Sequence, residues 1–383
     1  MKMSSGVPQS GRIVAIDIAR VFAILFMIQG HTIHVLLAPQ YQQGSFFDWW
    51  LFFRGLTAPV FLSLAGASFF VASMRVGTNA GPRKPGSSFR RIRRFASFIC
   101  LGYLMHMPAR SFSDLRFVDS AAFETWYQVD VLQCIGVTLI ALQLLTLVAK
   151  TPQRYAMACL TLGSLIILAT PLTWSFDWHQ FLPGFASAYM NGNSGSLFPL
   201  FPWSGYVFIG ASLGYLYAAR PTGTTIRLLA LVAIVALVAG NFLQRFSWTS
   251  YGSADYWKTS PTLFLIRWGS VCLLLMVITA VVRLVPMRSL PSAKMLASES
   301  LIAYVVHIAI LYGSSWNTGL RQVIGGSLDP AQTGGFIVVM IVVSCLLAMG
   351  WHLSKRKLPS LRQAAADALL RRILRPDAAP AGD

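Results

Sequence analysis

Apolar residues in this chain run together instead of alternating with polar ones, and the runs are too long for the helices of a soluble core. A helix needs about 20 mostly apolar residues to cross the hydrocarbon layer of a bilayer. Ten windows come close to that length: 17–37, 56–74, 93–110, 129–149, 155–173, 198–218, 226–243, 261–284, 296–314 and 334–353. The pattern predicts an all-α polytopic membrane protein with about 10 transmembrane helices, residues 1–353 forming one domain. A basic tail, 354–383, follows. In it Leu361, Ala365, Leu369 and Ile373 share a helical stripe with arginines elsewhere, which predicts an amphipathic helix lying in the interface. The first window follows Lys2 and Arg12 with no small-residue cleavage signal, so it reads as a retained signal anchor.

Composition agrees and adds a direction. Of 383 residues 55% are hydrophobic and only 11% charged, with a mean hydropathy of +0.59. Soluble domains carry about 25% charged residues. Secreted disulfide scaffolds, disordered regulators and cytosolic enzymes are excluded. A net charge of +18 in a soluble chain suggests nucleic acid, but here the basic residues flank the apolar windows and set topology, so no nucleic-acid partner is expected. With an even number of spans both termini share a side. The segments on that side hold 23 basic residues and the other set seven: Arg54, Arg110, Arg116, Arg245, Lys258, Arg267 and Arg321. The positive-inside rule puts both termini in the cytoplasm. Short outer segments without a soluble domain fit the plasma membrane, the inner membrane in a bacterium.

Three features of the polar segments refine this picture. The stretch 75–94 (RVGTNAGPRKPGSSFRRIRR) reads as a flexible basic loop beside anionic lipid. The outer segments 38–55, 111–128, 174–197, 245–260 and 315–333 are rich in Trp, Tyr, Phe, Asn, Gln and Ser, as in interfacial aromatic belts or a sugar-binding face. The five cysteines all lie in apolar windows and read as small buried hydrophobes, not as a disulfide or metal framework.

Ionisable groups inside the windows are the chemical signal, since each costs roughly 2.5 to 3.5 kcal/mol to insert near a helix centre. In the first window Asp17, Arg20, His31 and His34 are separated by nearly whole numbers of 3.6-residue turns and fall on one stripe. Asp17 and Arg20, three apart at the cytoplasmic end, are placed to pair. His31 lies about 16 Å further along the axis, near the outer end. His31 and His34 stand at i, i+3, but no carboxylate or thiolate of ligand spacing accompanies them, so no metal is expected. Asp130 and Gln133 open the fourth window, Arg267 interrupts the eighth, and Glu299, Tyr304 and His307 lie in the ninth. Four spans thus turn ionisable groups toward one interior, which predicts a polar cavity within the bundle.

These residues carry a resemblance. Arg12 to His31 (RIVAIDIARVFAILFMIQGH) resembles the opening signature of the transmembrane acyltransferase superfamily, an Arg separated by ten residues from a His at the far end of the first helix. GLTAPVFLSLAGASFF (55–70), DVLQCIGV (130–137), LFPLFPWSGYVFIGASLGY (197–215) and ESLIAYVVHIAILY (299–312) resemble successive motifs of its heparan-alpha-glucosaminide N-acetyltransferase-like branch. They follow in order over residues 12–314. The chain departs from the branch at Arg20-Val21 in place of Arg-Gly, at Leu132-Gln133-Cys134 in place of Leu-Gln-Arg, and at Glu299 in place of a small residue.

The resemblance implies transfer of an acyl group, an acetyl by analogy, from acyl-coenzyme A as co-substrate to a hydroxyl or amine of a carbohydrate or other envelope acceptor. No bound cofactor is implied, and the oligomeric state is left open, a homodimer included. Arg20, with Asp17 orienting it, contacts the donor; His31, with a neutral imidazole at its ordinary pKa of about 6.5, is the base. An acyl-His31 intermediate is the alternative route. His307, Gln133, Tyr304 or an unpaired backbone amide are candidates for the oxyanion donor, Asp130 orients a histidine or holds acceptor hydroxyls, and His34 and Glu299 belong to the substrate-binding set. Two competing readings are a transporter or flippase for a glycan or lipid-linked substrate, against which the lack of a two-fold repeat counts, and an inactive scaffold.

Overall fold

The computed structural model describes residues 13–74, 87–246, 255–285 and 291–374, with side chains through residue 355. Twelve helices build the bundle. They are α1 (Val14–Leu36), α2 (Ser45–Arg54), α3 (Thr57–Ser73), α4 (Ser87–Met105), α5 (Val131–Val148) and α6 (Pro152–Ser175). After these come α7 (Leu200–Ala219), α8 (Thr222–Leu243), α9 (Pro261–Leu284), α10 (Pro291–Ser298), α11 (Ser300–Tyr312) and α12 (Pro330–Leu374). Shorter turns of helix lie between them, and the β pairings among the described residues are two isolated bridges.

All ten apolar windows are helical, and the chain is a polytopic all-α membrane protein. By length and composition seven helical segments among the described residues suffice to cross a membrane, α2 and α3 together forming one, and an eighth is added if α10 and α11 count as one span. The other two windows fall on α4, whose first half carries four arginines, and on α7, which is interrupted by Ser, Gly and Tyr.

Three local features differ from expectation. The arginine-rich end of the segment 75–94 is helical, because Arg is a good helix former and α4 begins at Ser87; residues 75–86 lie outside the described residues. There Arg91 donates to the Ala72 carbonyl (2.9 Å) and Ser73 Oγ (2.6 Å), satisfying the end of α3 with a cation. The ninth window is not one straight rod: α10 and α11 meet at 66° across Glu299, whose φ and ψ of −102° and 19° are not helical. Finally, α12 runs unbroken to Leu374, so the backbone of the tail continues the last span; the side chains of 360–375, and with them the expected amphipathic face, lie outside the described residues.

α1 stands at the centre, packed against α3, α9, α10, α11 and α12. Its buried face is made of small and aliphatic residues, Ala15, Ala19, Ala23 and Ile28, interrupted by Asp17 and Thr32. The tightest seam is between α3 and α7. A Cβ on Gly66 would stand 1.9 Å from the Val207 carbonyl oxygen, and one on Gly210 2.2 Å from that of Ser63. Glycine at both positions brings the two backbones into direct contact, the packing membrane helices use where no hydrophobic drive joins them. α8 is the opposite case: Leu231, Ile234, Val235 and Val238 are all exposed, the face expected toward lipid.

Candidate active site

The periodicity of α1 puts Asp17, Arg20, His31 and His34 on one side of the helix, and that side borders two cavities. The first, about 540 Å³, is lined by Asp17 and Arg20 with Ser68, Ser73, Arg91 and Arg94. The second, about 1000 Å³, is lined by His31 and His34 with Arg54, His106, Asp130 and Tyr312. Phe61 of α3 and Tyr304 of α11 line both, so the cavities adjoin at these two rings.

Arg20 is held by the break in the ninth span. In a continuous helix the Ala297 carbonyl would be taken by the backbone four residues on; with the chain turning at Glu299 it accepts from Arg20 Nη1 at 3.2 Å instead. Nη2 donates to the Leu64 carbonyl (3.4 Å) and to Ser68 Oγ on α3. The break is secured from α12: the Glu299 carboxylate, 4% exposed, accepts from Lys355 Nζ (2.7 Å to each oxygen) and pairs with His352 Nδ1 at 2.9 Å. Glu299, expected among the substrate-binding residues, borders neither cavity and acts through the backbone that meets Arg20.

At the other end His31 Nδ1 shares a 2.9 Å hydrogen bond with the Tyr312 hydroxyl, and its ring lies 5.4 Å from that of His307. His307 is fully buried. Its Nδ1 faces the Ala303 carbonyl at 2.8 Å, an acceptor, so this nitrogen carries the proton and donates it. Its Nε2 has no hydrogen-bond partner among the described residues. The Tyr304 hydroxyl donates to Asp130 Oδ2 at 2.9 Å, while Oδ1 caps α5 by accepting from the Val131 amide at 2.7 Å. His106 approaches the same Oδ2 at 3.9 Å. Expectation made His307 and Tyr304 oxyanion donors, but the hydrogens that role requires are both spent, on Ala303 and Asp130. Gln133 borders neither cavity; its amide is fully buried between α4 and α5 against Gly102, without a partner among the described residues.

The structure thus brings together Asp17 and Arg20 at one cavity, and His31, His34, Asp130 and Tyr304 at the other, with His307 behind His31. Several residues of the second cavity were not among the expected set: Arg54, His106, Tyr312 and Arg321. Arg54, Arg267 and Arg321 make its wall cationic, with Asp130 the acidic residue on it. A signal for them existed, since basic residues on the side that the positive-inside rule depletes need another reason to be there. Among the described residues no group of three or more His, Cys, Asp or Glu is placed to hold a metal ion.

A family profile described as "Heparan-alpha-glucosaminide N-acetyltransferase, catalytic" matches residues 12–251, from the start of α1 past the end of α8. No curated protein matches the chain. The profile covers Arg20, His31, Arg54 and Asp130 and stops before α9, so Tyr304, His307 and Tyr312 enter the site through the fold.

Proposed function

The chain belongs to the heparan-alpha-glucosaminide N-acetyltransferase catalytic family, and on that premise we propose that it moves an acyl group, an acetyl by family, across the membrane from cytoplasmic acyl-CoA to a hydroxyl or amine of a carbohydrate acceptor at the outer face. In this reading ten helices span the membrane and both termini are cytoplasmic, as the distribution of Lys and Arg suggests. The observation that carries the proposal is the pair of adjoining cavities on one face of α1, with a fixed guanidinium at the first and an imidazole at the second.

The donor's phosphates sit at the Arg20 cavity, drawn by Arg20, Arg91 and Arg94. Its pantetheine arm passes Phe61 and Tyr304 and presents the thioester to His31. His31 donates its Nδ1 proton to the Tyr312 oxygen and keeps Nε2 as the base. As the acceptor oxygen or nitrogen attacks the thioester carbonyl, Nε2 takes its proton. The hydroxyl hydrogen of Tyr312, free in this arrangement, meets the oxyanion. Collapse of the tetrahedral intermediate expels the coenzyme A thiolate, which recovers the proton from the imidazolium. Asp130 fixes Tyr304 at the junction of the cavities.

The test is turnover of acetyl-CoA by the purified full-length protein in detergent, alone and with amino sugars. Transfer or hydrolysis that disappears in His31→Ala supports the reading. A rate equal in wild type and His31→Ala overturns it, and no turnover with any acceptor favours a carrier.

A further inference from the structure

A third cavity, about 590 Å³, is a groove on the outside of the bundle between α1, α2, α3 and α9. Phe22 and Phe26 of α1, Trp49 and Trp50 of α2, and Leu273 and Val277 of α9 form most of its wall. Phe22, Trp49, Leu273 and Val277 are exposed, so the groove opens sideways to the hydrocarbon layer at the depth between Arg20 and His31. Three observations separate it from ordinary lipid-facing surface.

First, it adjoins the His31 cavity, with Thr57 lining both. Second, its wall is not wholly apolar, since Trp50 and Thr57 belong to it, with Trp50 Nε1 and Thr57 Oγ1 buried out of reach of the groove. Third, the junction is cationic: the Arg54 guanidinium lies 5.6 Å over the Trp50 ring and lines the His31 cavity, as does Arg267. No hydrogen bond from the Arg54 side chain occurs among the described residues. An apolar groove that adjoins a cavity carrying two guanidinium groups is complementary to an amphiphile with a hydrocarbon chain and an anionic head.

We propose that this groove admits the acceptor: a sugar carried on a polyisoprenyl phosphate, its chain between α1, α2 and α9, its phosphate at Arg54 and Arg267, and its sugar at His31. The volume is within the range of pockets that hold one drug-sized ligand, room for part of a hydrocarbon chain. The orientation follows from the walls, apolar along the groove and cationic only on the side of the His31 cavity. This rests on the acyl-transfer reading of the His31 cavity and names the class of acceptor it serves.

The test reads binding without turnover. The full chain in lipid nanodiscs is photolabelled with a polyisoprenyl phosphate bearing a diazirine in its chain, and the labelled peptides are mapped. Label concentrated on 22–26, 49–57 and 270–277, displaced by unlabelled polyisoprenyl phosphate but not by phosphatidylglycerol, is the expected result. Label spread equally to the lipid face of α8, or displaced equally by phosphatidylglycerol, means a surface coated by bulk lipid and overturns the proposal. In Arg54→Gln the preference for the phosphate over the parent polyisoprenol falls roughly tenfold, the loss expected for one charge-assisted hydrogen bond; an unchanged preference also overturns it. Groove-specific labelling with no His31-dependent turnover refutes the acyl-transfer reading, whereas His31-dependent turnover with diffuse labelling refutes the groove alone.

Discussion

The two cavities along α1 hold their charges in opposite ways. At the first, two of the three arginines are anchored by the protein: Arg20 by two carbonyls and a serine, Arg91 by the last turn of α3. At the second, the carboxylate of Asp130 is committed to Tyr304 and to the cap of α5 and Arg267 donates to the Trp257 carbonyl at 3.4 Å, while the Arg54 and Arg321 guanidinium groups make no side-chain hydrogen bond among the described residues. A fixed cation is organised in advance for one constant ligand, such as the phosphates of a common donor. Cations left unpaired beside histidines receive their partners from what enters.

The largest effect that tests this division is His31→Ala, expected to lower transfer about 10²–10⁴-fold, the usual contribution of a general base; a milder loss than that of any Arg20 variant reverses the assignment of the two ends. Tyr312→Phe removes the hydroxyl paired with His31 and is expected to lower kcat roughly 10²-fold with KM for acetyl-CoA unchanged. A rise in KM alone would move Tyr312 to substrate binding. Gly66→Ala forces a Cβ to 1.9 Å from the Val207 carbonyl and is expected to destabilise the bundle by about 1–3 kcal/mol, visible as a lower melting temperature in detergent. Because α3 borders both cavities, activity there falls with stability and with no split between kcat and KM. Arg20→Lys keeps the charge but loses the forked donors, so KM for acetyl-CoA rises roughly tenfold while kcat changes little. Glu299→Gln is expected to be smallest: Lys355 is half exposed and its pairing screened, so the donor KM shifts less than about fivefold.

What was legible in the sequence was whatever depends on period and position within one helix. The stripe of Asp17, Arg20, His31 and His34 follows from 3.6 residues per turn, and the structure puts all four against cavities. The apolar windows likewise follow from bilayer thickness. Partners distant in the chain were not legible. Nothing local tells that Lys355 closes on Glu299, or that the resulting break frees the Ala297 carbonyl for Arg20. Arg54 and Arg321 looked like ordinary loop charges until α1 and α11 brought them beside His31. Tyr312 and His307 lie in one quoted motif, yet which of them has a hydrogen to spare is decided by contacts with Ala303 and His31.

The glycine seam between α3 and α7 bears on how anything travels along α1. Rods touching main chain to main chain at Gly66 and Gly210 cannot slide or part without losing that contact, so the wall that carries Phe61 is stationary. Under the proposed transfer, traffic from one chamber to the next would then be a matter of rings turning on their own bonds. Its doorway would be Phe61 and Tyr304, and the latch on it one hydroxyl held by Asp130.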